Sequence, residues 1–562
     1  MKIFKIKYKV LGLMSGAIAL VSSCNIDVVP QDRFVEENVW KNEANVEMYV
    51  NGMYAEFRRF QFTFFPGLGY DNAMDALADG MKFTSNTAGN GTVNLFIGDA
   101  GRYSPASVGL NYWNSGYDRI RRVNEFLDGL HKSSLNEGAK ARFEAEARFV
   151  RAYCYFWLAK LHGSVVLLQN IDEYSVKDHP RASEGVIYDF ILADLDYAAQ
   201  NLPTKVATSK ADKGSAYALK ARVALHAASI ARFDKKQFNT DELTGIPEAK
   251  ADAYYGQARD AAQAVIDLGM YALADDFATV FTAKESKEAI YKVTYIAPDV
   301  VHQYDAGYAP PRDAEGQTSV YGVPTANIVD EFEMADGTKF SWSNPVHAAA
   351  PYANREKRFY ASILHNGAAW KGRVLNTTVA DVKEGFIPFG QMSDPKRTVT
   401  GYYTKKFLDP NNTTFVQNKS TQHWIELRYA EVYLVLAEAK AQLNDFSGSV
   451  TALNALRQKR GLPDVNYNTI TDAMARVEHE RIVELAFEGQ RFWDLRRLRK
   501  AHILLDGKRV KGHKITPEGS GYTYEFVDAD IANREFPARL YYLPIPEAEI
   551  QKNKGLTQIK GW

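Results

Sequence analysis

The densest charged stretch of this chain is EHERIVELAFEGQRFWDLRRLRK, Glu478 to Lys500. Its acids could be catalytic or structural. Glu480, Glu484 and Glu488 fall four apart, on one face of a helix. Like charges at that spacing repel by about 0.2–0.5 kcal/mol per pair. A ladder of three therefore needs cations from elsewhere in the fold. Arg428, Arg460, Arg491 and Arg496 are candidates, because a guanidinium pairs bidentately with a carboxylate. The expectation is a structural ion network joining Glu480, Glu484 and Glu488 to Arg428 and Arg491. Arg148 and Arg151, in EARFVRAYCYF, read the same way, as braces of a helix pair.

Other chemistry is sparse. None of the 11 histidines is spaced for a metal: His479 opens HERIV, with Val483 where a zinc-binding helix needs its second histidine. DADIANREF, Asp528 to Phe536, starts like a calcium loop, but Ala532 and Asn533 break the pattern. There is no G-x-S-x-G and no phosphate-cradling glycine loop. A carboxylate pair for glycoside cleavage meets in space and leaves no spacing in sequence, so a surface glycoside hydrolase stays open as an alternative. The expectation is a binder with no catalytic residue, cofactor or metal.

Helical periodicity frames these residues. It runs over roughly 38–59, 112–130, 137–161, 184–201, 211–232 and 250–268, and returns at 424–442, 446–460, 471–488 and 490–500. Short turns join helices in pairs, with alanine at tight positions, as in AYALKARVALHAA. Paired helices of this length stack as tetratricopeptide-like solenoids. Cys154 sits in the apolar pattern RAYCYFWLAKL and reads as a small core residue.

Two inserts interrupt the frame, at 61–111 and 270–423. The second is rich in Gly, Pro, Asn and Tyr and holds one clear strand, AIYKVTY. Long irregular segments in a compact domain tend to be functional. Exposed aromatics beside polar forks would suit a sugar, because rings give contact area at low entropic cost. The first insert supplies Tyr70, Asp71, Phe83, Asn94, Phe96 and Tyr103. The second supplies Tyr304, Tyr308, Arg312 and Tyr321, with Trp342 and Trp370 as weaker candidates near apparent strands. Trp113 and Tyr117 sit at helical spacing and read as scaffold.

Four lysines and no acid precede an apolar run, Val10 to Val21, too short to span a bilayer. This is the pattern of an export signal, and the VSSC that follows resembles a bacterial lipobox ending at Cys24. Residues 1–23 are then a signal peptide, 24–37 a lipidated tether and 38–562 one domain. Several acyl chains on Cys24 would anchor the protein durably. Loss of the signal takes the formal charge from 0 to −4, which argues against nucleic acid as a partner.

Five ordered segments then carry a resemblance: EARFVRAYCYFWLAKLHGSVVLL, LRYAEVYLVLAEA, LNALRQKRGLP, ERIVELAFEGQRFWDLRR and LYYLPIPEAEIQKN. With the lipobox they resemble the SusD/RagB family of outer-membrane lipoproteins, over almost the whole chain. Val166 stands where that family has proline in its G-x-x-P-L turn, and the C-terminus reads TQIKGW in place of Q-N-P-G-Y. The resemblance implies a mainly α, tetratricopeptide-like scaffold with loop-rich inserts and a few short strands. It also implies a surface-exposed lid on a SusC-like TonB-dependent transporter. Such a lid binds oligosaccharides, or in some members peptides, and is not an enzyme. In that family the ligand lies between the two loop regions. A peptide-capturing RagB-like lipoprotein is the first alternative, and a protein-binding scaffold without a small ligand is another.

Overall fold

The computed structural model describes residues 39–60, 72–85, 104–107, 110–206, 210–234, 242–316, 320–392 and 395–562. Cys24, Tyr70, Asp71, Asn94, Phe96 and Tyr103 lie outside the described residues, as do the signal and the tether.

Six helices form the first part of the frame: α1 (Glu43–Met53), α2 (Trp113–Lys132), α3 (Glu137–His162), α4 (Glu184–Asn201), α5 (Lys213–Phe233) and α6 (Ala251–Asp267). From α2 to α6 each helix packs on the next. Side-chain caps set the starts of α1, α3 and α5. Asn136 accepts from the Ala139 N–H at 2.9 Å, and Asp212 accepts from the Ser215 N–H at 2.8 Å. Helix α3 is buried on nearly every face, so it is a central helix rather than a surface one. Cys154 lies on it, buried and in no disulfide.

After the second insert the chain returns as α7 (Tyr429–Gln442), which packs on α6. The frame therefore closes across the insert. Helices α8 (Phe446–Arg460), α9 (Ile470–Glu484) and α10 (Gln490–Arg497) follow. Gly461, at φ +76°, takes the left-handed C-cap that ends α8. Among the described residues no helix is long and apolar enough to cross a membrane. The fold is mainly α, a tetratricopeptide-like stack with a few short strands.

Two stretches differ from the periodicity reading. Helix α7 starts at Tyr429, not 424. The buried, β-favouring WIELR of Trp424–Arg428 instead pairs antiparallel with Ala289–Val293. The sequence reading also assigns 424–562 as a whole to the helical scaffold, but this block contains a hairpin of two eight-residue strands, Lys511–Glu518 against Gly521–Asp528. Its two-residue loop places Gly519 at φ +56°, which suits a tight hairpin turn.

The glutamate ladder faces the second insert. Glu480, Glu484 and Glu488 are 1%, 0% and 5% exposed. Arg428 donates to Glu288 and Glu484 at 2.9 and 2.7 Å, and to both Glu488 oxygens at 2.9 and 2.7 Å. Arg460 donates to Glu288 and Glu484 at 2.8 and 2.7 Å. Arg358 joins Glu480 to Glu484 at 2.6 and 2.9 Å, and Arg457 joins Glu480 to Glu333 at 2.6 and 2.9 Å. Lys406 adds a 2.7 Å contact to Glu488. Arg358 and Lys406 belong to the insert, so the network pins insert to frame. Arg491 is elsewhere: it holds Asp79 with two 2.8 Å bonds. Its side chain leaves α10 toward the first insert, away from the ladder. Arg496 also stays out of the ladder, donating to the Leu540 carbonyl and lying 4.1 Å from the Phe492 ring. Arg151 grips both Asp194 oxygens at 2.8 Å and Arg148 bridges Glu144 and Asp194, which ties α3 to α4.

Candidate functional site

The two inserts meet through a short antiparallel ladder, β1 (Met81–Phe83) against β2 (Gly322–Pro324). One more bond, Thr84 N–H to the Tyr321 carbonyl at 3.1 Å, carries the pairing to the edge of the first loop region. Glycine is required at the crossing. A Cβ on Gly322 would come within 2.7 Å of the Met81 sulfur and 3.1 Å of Tyr308. A Cβ on Gly307 would sit 2.4 Å from the Tyr321 ring, so Tyr321 lies against bare helix backbone.

Beneath Tyr321 the other named aromatics form a bed. Tyr304 and Tyr308 occupy positions i and i+4 of the short helix Tyr304–Tyr308 and stack at 4.4 Å. Tyr308 meets Tyr321 edge-on at 6.2 Å, and Tyr304 meets Phe407 at 5.9 Å. Tyr304, Tyr308 and Phe83 are only 2%, 4% and 5% exposed. They are not the open platform that their loop setting suggests. Helical spacing turns both tyrosines inward, and every residue of β1 is buried. Of the four tyrosine and phenylalanine candidates in the described inserts, Tyr321 alone is half-buried rather than fully buried.

A polar group flanks this stack in sequence. Arg312 is exposed and donates to Asp381 at 2.7 Å, and its Nε stands 3.4 Å from Glu384. Arg373 donates to the same Glu384 oxygen at 2.7 Å and to Asp313 at 2.7 Å. Trp370, 3% exposed, donates its indole N–H to Asp313 at 3.0 Å, so it orients a carboxylate and offers no ring face. The hydrogen bond that Arg312 donates to Asp381 raises the Arg312 pKa further, keeping it cationic. Burial works to raise Asp381, but the Glu384 N–H and the Arg312 guanidinium outweigh it and hold the carboxyl below its usual range. Burial pushes Glu384 up. Two fixed guanidiniums are thus held by three carboxylates. Such forks suit hydroxyl and carboxylate oxygens of a ligand.

A second aromatic surface lies on the C-terminal hairpin. Trp342 is half-buried, donates to Asp330 at 3.0 Å, and packs 5.4 Å from Tyr524 and 5.6 Å from Phe526. Tyr522 and Phe526 are each 50% exposed. Residues 522, 524 and 526 share one strand face. That alternation, YTYEF after a Gly-Ser-Gly turn, was visible in the sequence as a hairpin signal. Trp113 and Tyr117 are scaffold: their rings pack at 5.0 Å, and the Tyr117 hydroxyl donates to the Val166 carbonyl at 2.8 Å. Among the described residues no cluster of His, Cys, Asp or Glu could hold a metal ion.

A rigid helical frame presenting arginine forks and a tyrosine from joined loops is the architecture of a binding protein. Comparison with known proteins gives the family. The SusD family model matches residues 287–562, and a model described as starch-binding associating with outer membrane matches residues 60–225. SusD-like protein P2 of Formosa agariphila is 23% identical over 585 residues, covering 99% of each chain. A SusD-like protein from Bacteroides fragilis superposes with a TM-score of 0.75 at 27% identity, covering 94% of this chain and 99% of that one. A SusD-like carbohydrate-binding protein from the same organism also gives 0.75, at 23% identity, covering 92% and 100%. The chain belongs to the SusD/RagB family.

Proposed function

We propose that this protein captures oligosaccharides at the cell surface and passes them to a SusC-like TonB-dependent transporter, on which it sits as a lid. It holds its ligand without chemical turnover. Acylation of Cys24 tethers it to the outer membrane, and the tether lets the lid swing. One observation carries the reading: Tyr321, seated on Gly307 where the two inserts pair, with Arg312 in the same insert held as an exposed fork. A pyranose face would lie on the Tyr321 ring while guanidinium groups read its hydroxyls. Tyr70, Asp71, Asn94, Phe96 and Tyr103 would complete the site from the first insert. The carboxylates beside Arg312 and Arg373 orient the arginines, which supports binding over acid–base chemistry.

The test is calorimetric titration of the chain from Asn25 onward, which contains every described residue, against plant, host and microbial glycans and a peptide mixture. Heat with one glycan class is the expected result. Heat with peptides alone would replace the sugar reading by a RagB-like one. Release of reducing ends from any glycan would overturn the non-enzymatic reading.

A further inference from the structure

A cavity of about 430 Å³ opens between the short helix Ala326–Glu331, α9, α10 and the base of the hairpin. Five cationic side chains line it, Arg491, Lys508, Arg509, Lys511 and Arg534, against two acidic ones, Asp79 and Glu331. The local pairing does not use up this charge. Asp79 is taken by Arg491. Arg509 and Lys511 share one carboxylate, Asp528. Arg534 and Lys82 share another, Asp530, at 2.9 and 2.6 Å. Glu331 stands 3.6 Å from His479. Lys508 is exposed and has no ion pair among the described residues. Arg534 is 6% exposed; its Nε is on Asp530, its Nη1 on the Ala76 and Ala78 carbonyls, and its Nη2 finds no partner among the described residues.

We propose that this cavity is an anion-binding subsite for the carboxylate or sulfate group of an acidic saccharide. A buried guanidinium nitrogen without a partner is costly, and an oxyanion would satisfy it after a small shift of the side chain. A concave, partly apolar site with an excess of one charge concentrates the field on a ligand of opposite sign. The volume falls within the range of small-molecule sites, about 300–1,000 Å³, and exceeds what an ion alone needs. Apart from Asn327 and Gly80 the remaining lining is aliphatic, including Ile328, Ile482 and Ile503, with no aromatic ring. The subsite therefore reads charge and does not stack sugar rings, which separates it from Tyr321. The proposal rests on the glycan-capture reading only for the carrier of the anion.

The experiment titrates the chain from Asn25 onward, at low ionic strength, with sodium sulfate, sodium glucuronate, glucose 6-sulfate and glucose. Glucuronate and glucose 6-sulfate should bind, sulfate more weakly, and glucose not at all. Lys508→Glu and the double variant Lys508→Glu/Arg509→Glu should weaken the charged sugars by about tenfold or more. Lys552→Glu, a surface charge on a distant helix, should leave them unchanged. Thermal melts confirm that each variant is folded; Lys508, exposed and unpaired, is the safer of the two positions. The proposal is overturned if the charged sugars give no heat, or if Lys508→Glu binds them as the parent does. Charged sugars no tighter than inorganic sulfate would also overturn it, leaving an adventitious ion only. Failure here leaves neutral-glycan capture at Tyr321 standing, whereas silence toward every saccharide, neutral and acidic, is the failure of that capture.

Discussion

Two of the clusters of arginine and carboxylate in this molecule do different work. The first, around Glu484, is sealed: Arg358, Arg428 and Arg460 are each about as buried as a leucine in the core. The second, around Glu384, is open: Arg312 has a side chain 37% exposed and Arg373 one 25% exposed. The residue types are the same, and burial separates their roles. A sealed pair that loses a partner leaves a bare charge in a medium that cannot solvate it. An open pair is screened by water and contributes little to stability, so its donors remain available for a ligand.

The sharpest way to break this comparison is Arg428→Met. It leaves Glu288, Glu484 and Glu488 short of a shared cation and should cost about 3–5 kcal/mol in urea unfolding. A cost below about 1 kcal/mol would mean that the buried network is dispensable. Tyr308→Ala comes next. It removes a ring packed between Tyr304 and Tyr321 and should cost about 3 kcal/mol, with any loss of ligand binding following from the unsettled bed.

Acid should then discriminate among the carboxyls. Burial works to raise Glu480, Glu484, Glu488 and Asp494, but neighbouring guanidiniums outweigh it and hold all four down, Asp494 at about 2. A carboxyl that is lower in the folded chain stabilises above its unfolded value near 4, and that contribution disappears as pH falls through the folded value. The share from Asp494 should be about 2 kcal/mol, lost between pH about 4 and 2. Burial raises Asp75, Glu184, Asp305 and Asp330 to about 7 instead. The folded state keeps those protons longer, so stability should also fall as pH rises from about 4 to 7. That fall is opposed by buried histidines, His162, His302, His365 and His423 held at about 4 and His513 at about 3, whose protons the unfolded chain binds first, so their share of stability rises with pH up to about 6.5. Urea unfolding should therefore change little between pH about 5 and 7 and fall steeply below about 4; a sharp maximum at pH about 4–5 would contradict these assignments. Arg312→Ala, the smallest expected change, should shift unfolding by under about 1 kcal/mol.

Much of the frame was legible because helices announce themselves by period. The run Glu137–His162 was placed within a residue, since the apolar spacing and the Asn136 cap both mark it. The strand Trp424–Arg428 was read as helix because a short apolar run carries no distinguishing period, and its partner lies over 130 residues away. The glutamate ladder was legible as a set of charges needing cations, but Arg358 and Lys406 reach it from the insert, and sequence spacing cannot show that. Arg491, by contrast, neighbours the ladder in sequence and turns to Asp79. At the site, residue type pointed to Tyr304, Tyr308 and Tyr321 alike. Only the fold distinguishes them: one short helical turn buries the first two and leaves the third on top of a glycine.

The central claim is that Tyr321 reads the ligand while the buried aromatics and ions only support it. The direct test is Tyr321→Ala, assayed by calorimetry against the glycan class that binds the parent and by thermal unfolding in the same buffer. The account predicts binding weakened by about tenfold or more with the unfolding midpoint nearly unchanged. Undiminished affinity in a folded Tyr321→Ala protein would contradict it and place the ligand elsewhere, with the Trp342, Tyr522 and Phe526 surface as the next position to mutate.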